Sequence, residues 1–143
     1  MSGPTSKDRE QTELSAPLVL DLQRSVEAPG IARAAVSELS RELRLAASLV
    51  QTLVLLVSEI VSNAVLHSSG PPDEPITLTA SVTADTVRVT VTDAGRGFTP
   101  KQRDPESCQD GYGLYLVEKT ASRWGVDPSG PTSVWFELPR TAG

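Results

Sequence analysis

Residues 53–67, LVLLVSEIVSNAVLH, restrict the possible folds of this chain more than any other stretch. Leu53, Val57, Ile60 and Ala64 recur at intervals of three and four, with Leu56 beside them, so they form one apolar stripe of a helix. Glu59 and Asn63 stand one turn apart on another face, and His67 continues their line a turn later. A helix this apolar belongs in a core, where an acid and an amide both need partners. A hydrated Mg²⁺ carrying phosphates would satisfy both, with Asn63 giving a carbonyl oxygen and Glu59 holding a water. An internal hydrogen bond or a surface-facing polar edge would satisfy them equally.

The 143 residues suffice for one domain with a real core. Phe, Trp and Tyr make only 4% of the chain, so aliphatic packing must carry the interior. The formal charge of -5 and the lack of a basic stripe argue against direct nucleic-acid binding. Cys108 is alone, which excludes an intramolecular disulfide, and no CxxC or CxxxH zinc pattern is present. Residues 45–66 are long and apolar, but they contain Gln51, Thr52, Ser58, Glu59, Ser62 and Asn63, so a membrane span is not expected. No basic segment followed by an apolar run opens the chain, and the expected location is the cytoplasm.

Residues 1–16 read as a flexible tail, 17–139 as the domain and 140–143 as a second tail. A short strand is predicted at 18–22, and Pro29-Gly30 then punctuates the chain. A helix over 31–43 follows, with Ile31, Ala34, Ala35, Leu39 and Leu43 turned inward and Ser37, Glu38, Arg41 and Glu42 solvated. The second helix is predicted over 47–67, ended by the Ser, Gly and Pro residues of 68–72.

Ile76, Leu78, Ala80 and Val82 alternate with polar residues, as do Val87, Val89 and Val91, and the turn at Ala84-Asp85 makes them an antiparallel hairpin. Asp93 shares the parity of the valines, so a strand that reaches it turns the carboxylate toward the apolar face. Gly95 and Gly97 follow at once, and without a Cβ they allow close backbone approach to something flat or bulky. A carboxylate beside two such glycines suits recognition of a neutral ring through an N–H donor; it equally suits a turn cap.

Residues 99–110 read as a loop, and Gly111-Tyr112-Gly113-Leu114 opens a third helix carrying Leu116 and Val117. A glycine pair at a helix start presents free N–H groups to a phosphate, or simply makes a tight turn. Trp124-Gly125-Val126 leads into a short strand, and a last strand runs over 132–138 with Val134, Phe136 and Leu138 on one side.

Four signals thus occur in a fixed order: Glu59-x-x-x-Asn63, Asp93-x-Gly95-x-Gly97, Gly111-x-Gly113, and Thr132-Ser133 entering the last strand. As a set they resemble the Bergerat-type ATP-binding fold of gyrases, ninety-kilodalton heat-shock chaperones, two-component histidine kinases and MutL-like proteins. Within it, LLVSEIVSNAVLHS, VRVTVTDAGRGF, GYGLYLVEKTASRWGV and GPTSVWFELP look like the small bacterial anti-sigma-factor serine kinases.

That resemblance implies an α/β two-layer sandwich, with helices on one face of a mostly antiparallel sheet. It implies ATP and Mg²⁺ as ligands. Asn63 would match the Mg²⁺-binding asparagine, and Glu59 the glutamate that positions a water or incoming hydroxyl near the γ-phosphate. Asp93 would accept from the adenine amino group while Gly95 and Gly97 make room for the base. Gly111, Gly113 and the adjoining Leu114 would lie at the phosphates. Thr132 or Ser133 would match the hydroxyl that supports Asp93, strand register deciding between them.

The implied activity is a serine-protein kinase that phosphorylates a small anti-sigma-factor antagonist and otherwise sequesters an RNA polymerase sigma factor. Members of the group commonly dimerise, so a homodimer is an expected assembly. The alternative is a regulatory module that binds ATP and a partner protein without transferring phosphate. The chain has no GxxxxGK[ST] loop and so is not a P-loop enzyme.

Overall fold

A computed structural model of the chain describes residues 18–67, 73–93, 114–127 and 131–140. Among them the elements run β1 (Leu18–Leu22), α1 (Ala28–Glu42), α2 (Ala47–His67), β2 (Ile76–Val82), β3 (Thr86–Asp93), α3 (Leu114–Thr120), β4 (Arg123–Asp127) and β5 (Thr132–Pro139). The strands form one sheet in the order β1-β2-β3-β5-β4, every neighbouring pair antiparallel.

Alternation in the strands divides the sheet into two chemically different sides. Leu78 sits opposite Val91 and Val91 opposite Val134; Ala80, Val89 and Phe136 form the next row, and Val82, Val87 and Leu138 the one after. All of these side chains are buried. Branched residues fill most of the rows, as suits a pleated surface covered on that side. The helices supply the cover: α1 packs beside β1, α2 across β3 and β5, and α3 beside β4. The fold is therefore the expected two-layer α/β sandwich.

Helix α2 is the central element of the helical layer. Leu53, Leu56, Val57, Ile60, Val61 and Ala64 are all buried, so the predicted stripe is the one that meets the sheet. Burying a leucine in such a setting is worth about 1.5–3 kcal/mol. The same helix is long and apolar enough to cross a membrane, but here its apolar side faces the fold's own core.

Helix α1 departs from the sequence expectation in both its start and its face. It begins at Ala28 instead of residue 31, because Pro29 fits the first turn, where a missing N–H breaks no intrahelical bond. Its buried stripe is Ala28, Ala32, Val36 and Ser40, while Ile31 is 51% exposed. These mostly small side chains recur at steps of four, a row that can pack into a neighbouring helix, while Leu39 and Leu43 beside them stay partly buried against the core. The Ser40 hydroxyl donates to the Val36 carbonyl at 2.8 Å, so its burial leaves no unmet donor.

Arg44, in the left-handed region at φ 57, then reverses the chain. The Arg44 and Leu45 amides donate to the Arg41 and Ser40 carbonyls, closing a Schellman-type end. Arg140 ties this end of the molecule together by donating to Leu43 O at 3.2 Å and to Thr83 O at 3.1 Å.

The other side of the sheet carries Thr77, Thr79, Thr90, Thr92, Ser133 and Trp135. Hydroxyls pair across it, with Thr92 and Ser133 2.9 Å apart and Thr77 donating to Asp21 at 2.9 Å. Arg88 bonds Glu137 at 2.8 Å and stacks 4.0 Å from the Trp135 ring centroid. Trp135 lies over Gly125 of the edge strand, so closely that a Cβ there would come within 2.8 Å of Nε1. The glycine thus provides the floor for the indole. Gly125→Ala is expected to force the ring away and to destabilise the fold by about 1–3 kcal/mol, the usual scale of overpacking. Urea unfolding checks this, and a midpoint unchanged from the parent would contradict the contact.

Candidate functional site

The connections bring four segments to one end of the sheet. Helix α2 leads through residues 68–75 into the start of β2, which lies beside the end of β3. The end of β3 pairs with the start of β5, and β4 runs antiparallel to β5. Helix α3 therefore delivers the chain to the far end of β4 and itself begins toward the same end as Asp93 and Thr132. The last turns of α2 carry Glu59 and Asn63 to that end.

Asn63 is only 3% exposed, and its Oδ1 has no hydrogen-bond partner, alone among the buried side-chain oxygens and nitrogens of the described residues. An unsatisfied buried acceptor costs about 1–3 kcal/mol. Such a cost is understandable where a bound group supplies the missing interaction. A hard cation suits a lone amide oxygen. Mg²⁺ in particular takes one or two protein ligands and completes its octahedron with waters and phosphate oxygens. No cluster of three or more His, Cys, Asp or Glu occurs among the described residues, and a site of that kind requires none. The residues present fit Mg²⁺ carried in with phosphates.

Glu59 lies one turn earlier, half-buried at the edge of the apolar stripe. Its carboxylate is thus placed between the covered interior and the surface. His67 closes α2, and its side chain lies outside the described residues.

Strand β3 does extend to Asp93, which pairs directly with Thr132. Both follow the parity of Val91 and Val134, so they belong to the helix side of the sheet, where opposed side chains start about 4.5–5.5 Å apart. Thr132 is 2% exposed. Ser133 faces the other way and pairs with the Thr92 hydroxyl, so register selects Thr132 and removes Ser133 from the candidate site.

Leu114 is fully buried in the core, which leaves its backbone as the only part able to meet a ligand. Gly95, Gly97, Gly111 and Gly113 lie outside the described residues. Two described surface grooves, of about 650 and 240 Å³, lie at the opposite end, around the α1–α2 turn and between α2, α3 and β5.

One residue that the sequence reading did not single out is Arg24, in the β1–α1 connection. Its Nε donates to the Val65 carbonyl at 3.3 Å, on the last turn of the helix that carries Asn63. No local pattern marks it, because the contact spans 41 positions.

The geometry has counterparts among solved structures. The structure of the RsbU and RsbW domains of Rv1364c from Mycobacterium tuberculosis superposes with a TM-score of 0.69 and 24% identity over 87% of this chain. This chain spans 32% of the length of that mycobacterial chain. The SiaB–SiaC complex from Pseudomonas aeruginosa contains a chain that matches with a TM-score of 0.61 and 13% identity, over 94% of each chain. At these identities the likeness is one of fold. No curated protein sequence matches the chain. Residues 22–136 match the family described as "Histidine kinase-like ATPase domain", a span that includes Glu59, Asn63, Asp93 and Thr132. The chain belongs to the histidine kinase-like ATPase domain family.

Proposed function

We propose that this ATPase-family chain is a MgATP-dependent protein serine/threonine kinase whose substrate is a small anti-sigma-factor antagonist. The observation that carries the reading is the buried, unpartnered Oδ1 of Asn63, one turn after Glu59 and at the same end of the fold as Asp93 and Thr132. Asn63 would hold Mg²⁺ through Oδ1, and the ion when bound supplies neutralisation of the phosphate charge. Asp93 accepts from the exocyclic amino group of adenine, with the Thr132 hydroxyl beside it. Gly111 and Gly113, which lie outside the described residues, would lie at the phosphates as the resemblance implies.

Glu59 orients the serine or threonine hydroxyl of the docked protein and accepts its hydrogen bond. The hydroxyl oxygen then bonds to the γ-phosphorus as the bond to the β–γ bridging oxygen breaks; the hydroxyl proton passes to the Glu59 carboxylate and on to solvent, and ADP leaves. The catalytic contribution of the chain is mainly position and preorganised charge.

Sequestration of an RNA polymerase sigma factor, homodimerisation and a cytoplasmic location belong to the same proposal. The strings that resemble the anti-sigma-factor serine kinases support the choice of partner class, and the mycobacterial structure with an RsbW domain shares the fold. The test is transfer of labelled γ-phosphate from ATP to antagonist-type proteins encoded near this one. Labelled serine or threonine is the expected result. Tight MgATP binding without labelling of any such protein would overturn the kinase assignment in favour of a non-catalytic ATP-binding regulatory module.

A further inference from the structure

We infer that Arg24 is a positioning residue for Asn63, acting through the C-terminal end of α2. The last four carbonyls of a helix have no intrahelical partner, and the negative end of the helix dipole lies there. In α2 those carbonyls belong to residues 64–67, immediately after Asn63. The Arg24 guanidinium donates to one of them, Val65 O, at 3.3 Å from a part-buried position. It thus supplies both a hydrogen bond and a positive charge where the helix lacks them.

Position gives this cap its consequence. The amides of residues 64–67 bond back to the carbonyls of residues 60–63, so the turn that Arg24 closes is the turn that fixes the Asn63 backbone. The remainder of α2 is held by Leu53, Leu56, Val57 and Ile60 against the sheet, and has no need of the cap. Its last turn keeps only Ala64 and the partly buried Val65 against the core, with Leu66 exposed, and can fray without unfolding the sheet. Fraying there would move Asn63 Oδ1 and leave Asp93 and Thr132, which are fixed by the β3–β5 pairing, where they are. Arg24 therefore acts on the phosphate and metal half of the site and spares the base half. This role in ligand binding rests on the MgATP reading above; the capping of α2 does not.

The test compares the parent, Arg24→Ala and Arg24→Lys as full chains. Hydrogen exchange of the nucleotide-free proteins reads the cap. Arg24→Ala should speed exchange of the amides of residues 64–67 about three- to tenfold, the scale of a cation at a helix C-terminus, with the α2 interior unchanged. Calorimetry reads the site. Arg24→Ala should weaken MgATP by a similar factor and adenosine less than twofold, and Arg24→Lys should restore part of the loss.

Unaltered exchange at residues 64–67, or equal loss of MgATP and adenosine, would overturn the positioning role. A parent that binds no MgATP would overturn the nucleotide reading and the ligand role with it, while the exchange result decides the cap separately.

Discussion

Glu59→Gln is expected to lower phosphoryl transfer to a cognate serine-bearing partner by about 10²-fold or more while leaving ATP affinity within a few-fold. The expectation follows from where the helix places the two polar groups. Asn63 is buried and its oxygen is unpartnered, so the proposed function puts the metal and phosphates there. Glu59 is one turn back and half-buried, so its carboxylate is open to the hydroxyl that the proposed function docks there. A carboxylate there accepts the hydroxyl's hydrogen bond as the attack proceeds and makes little contact with the base. The amide of Gln keeps the size and loses the charge, which removes help specific to the transition state more than ground-state binding. Single-turnover transfer of labelled γ-phosphate, run beside a binding assay on the same preparations, measures both quantities. Transfer by Glu59→Gln at the parental rate would remove Glu59 from the mechanism.

The second large effect is expected at the base. Asp93→Asn replaces an all-acceptor carboxylate by an amide that can present a donor to the adenine amino group. At the half-buried Asp93 a mismatch of this kind costs about 1–3 kcal/mol, or about five- to 150-fold in affinity. Thr132 lies directly opposite and shares the helix side of the sheet. Unlike a change at Asn63, this one should weaken adenosine and ATP by the same factor. Calorimetric titration with each checks the expectation. Parental affinity for both ligands in folded Asp93→Asn would mean that the carboxylate does not contact the base.

How far the sequence revealed this arrangement can be seen residue by residue. The stripe of α2 was legible because apolar residues recur at three and four over about three turns, a period that suits a helix and not a strand. The parity of Asp93 was legible because a strand's side chains alternate, so three buried valines fix the side of the fourth position. The same alternation separates Thr132 from Ser133, because Thr132 shares the parity of Val134, Phe136 and Leu138. That Thr132 stands opposite Asp93 depends on the β3–β5 register, a contact between distant segments.

The face of α1 was misread for a different reason. Ile31 weighs heavily in any hydrophobic pattern yet is exposed, whereas Leu39 and Leu43 do pack in part against the core and the fully buried stripe is Ala28, Ala32, Val36 and Ser40. Proline at position 29 read as punctuation, although a first turn accepts it. The Arg24 contact with Val65 could not be read at all, since it depends on how the β1–α1 connection passes the end of α2.

Unpaired Oδ1 of Asn63 is the atom on which the functional reading most depends, so the most direct measurement is calorimetric titration of the parent and of Asn63→Ala with ATP, each with Mg²⁺ and with EDTA. Magnesium should strengthen ATP binding to the parent clearly and to Asn63→Ala far less, with adenosine binding equal in the two proteins. If ATP instead binds the parent with the same affinity in Mg²⁺ and in EDTA, or if Asn63→Ala keeps the full magnesium effect, Asn63 does not hold the metal and the assignment of this site is contradicted.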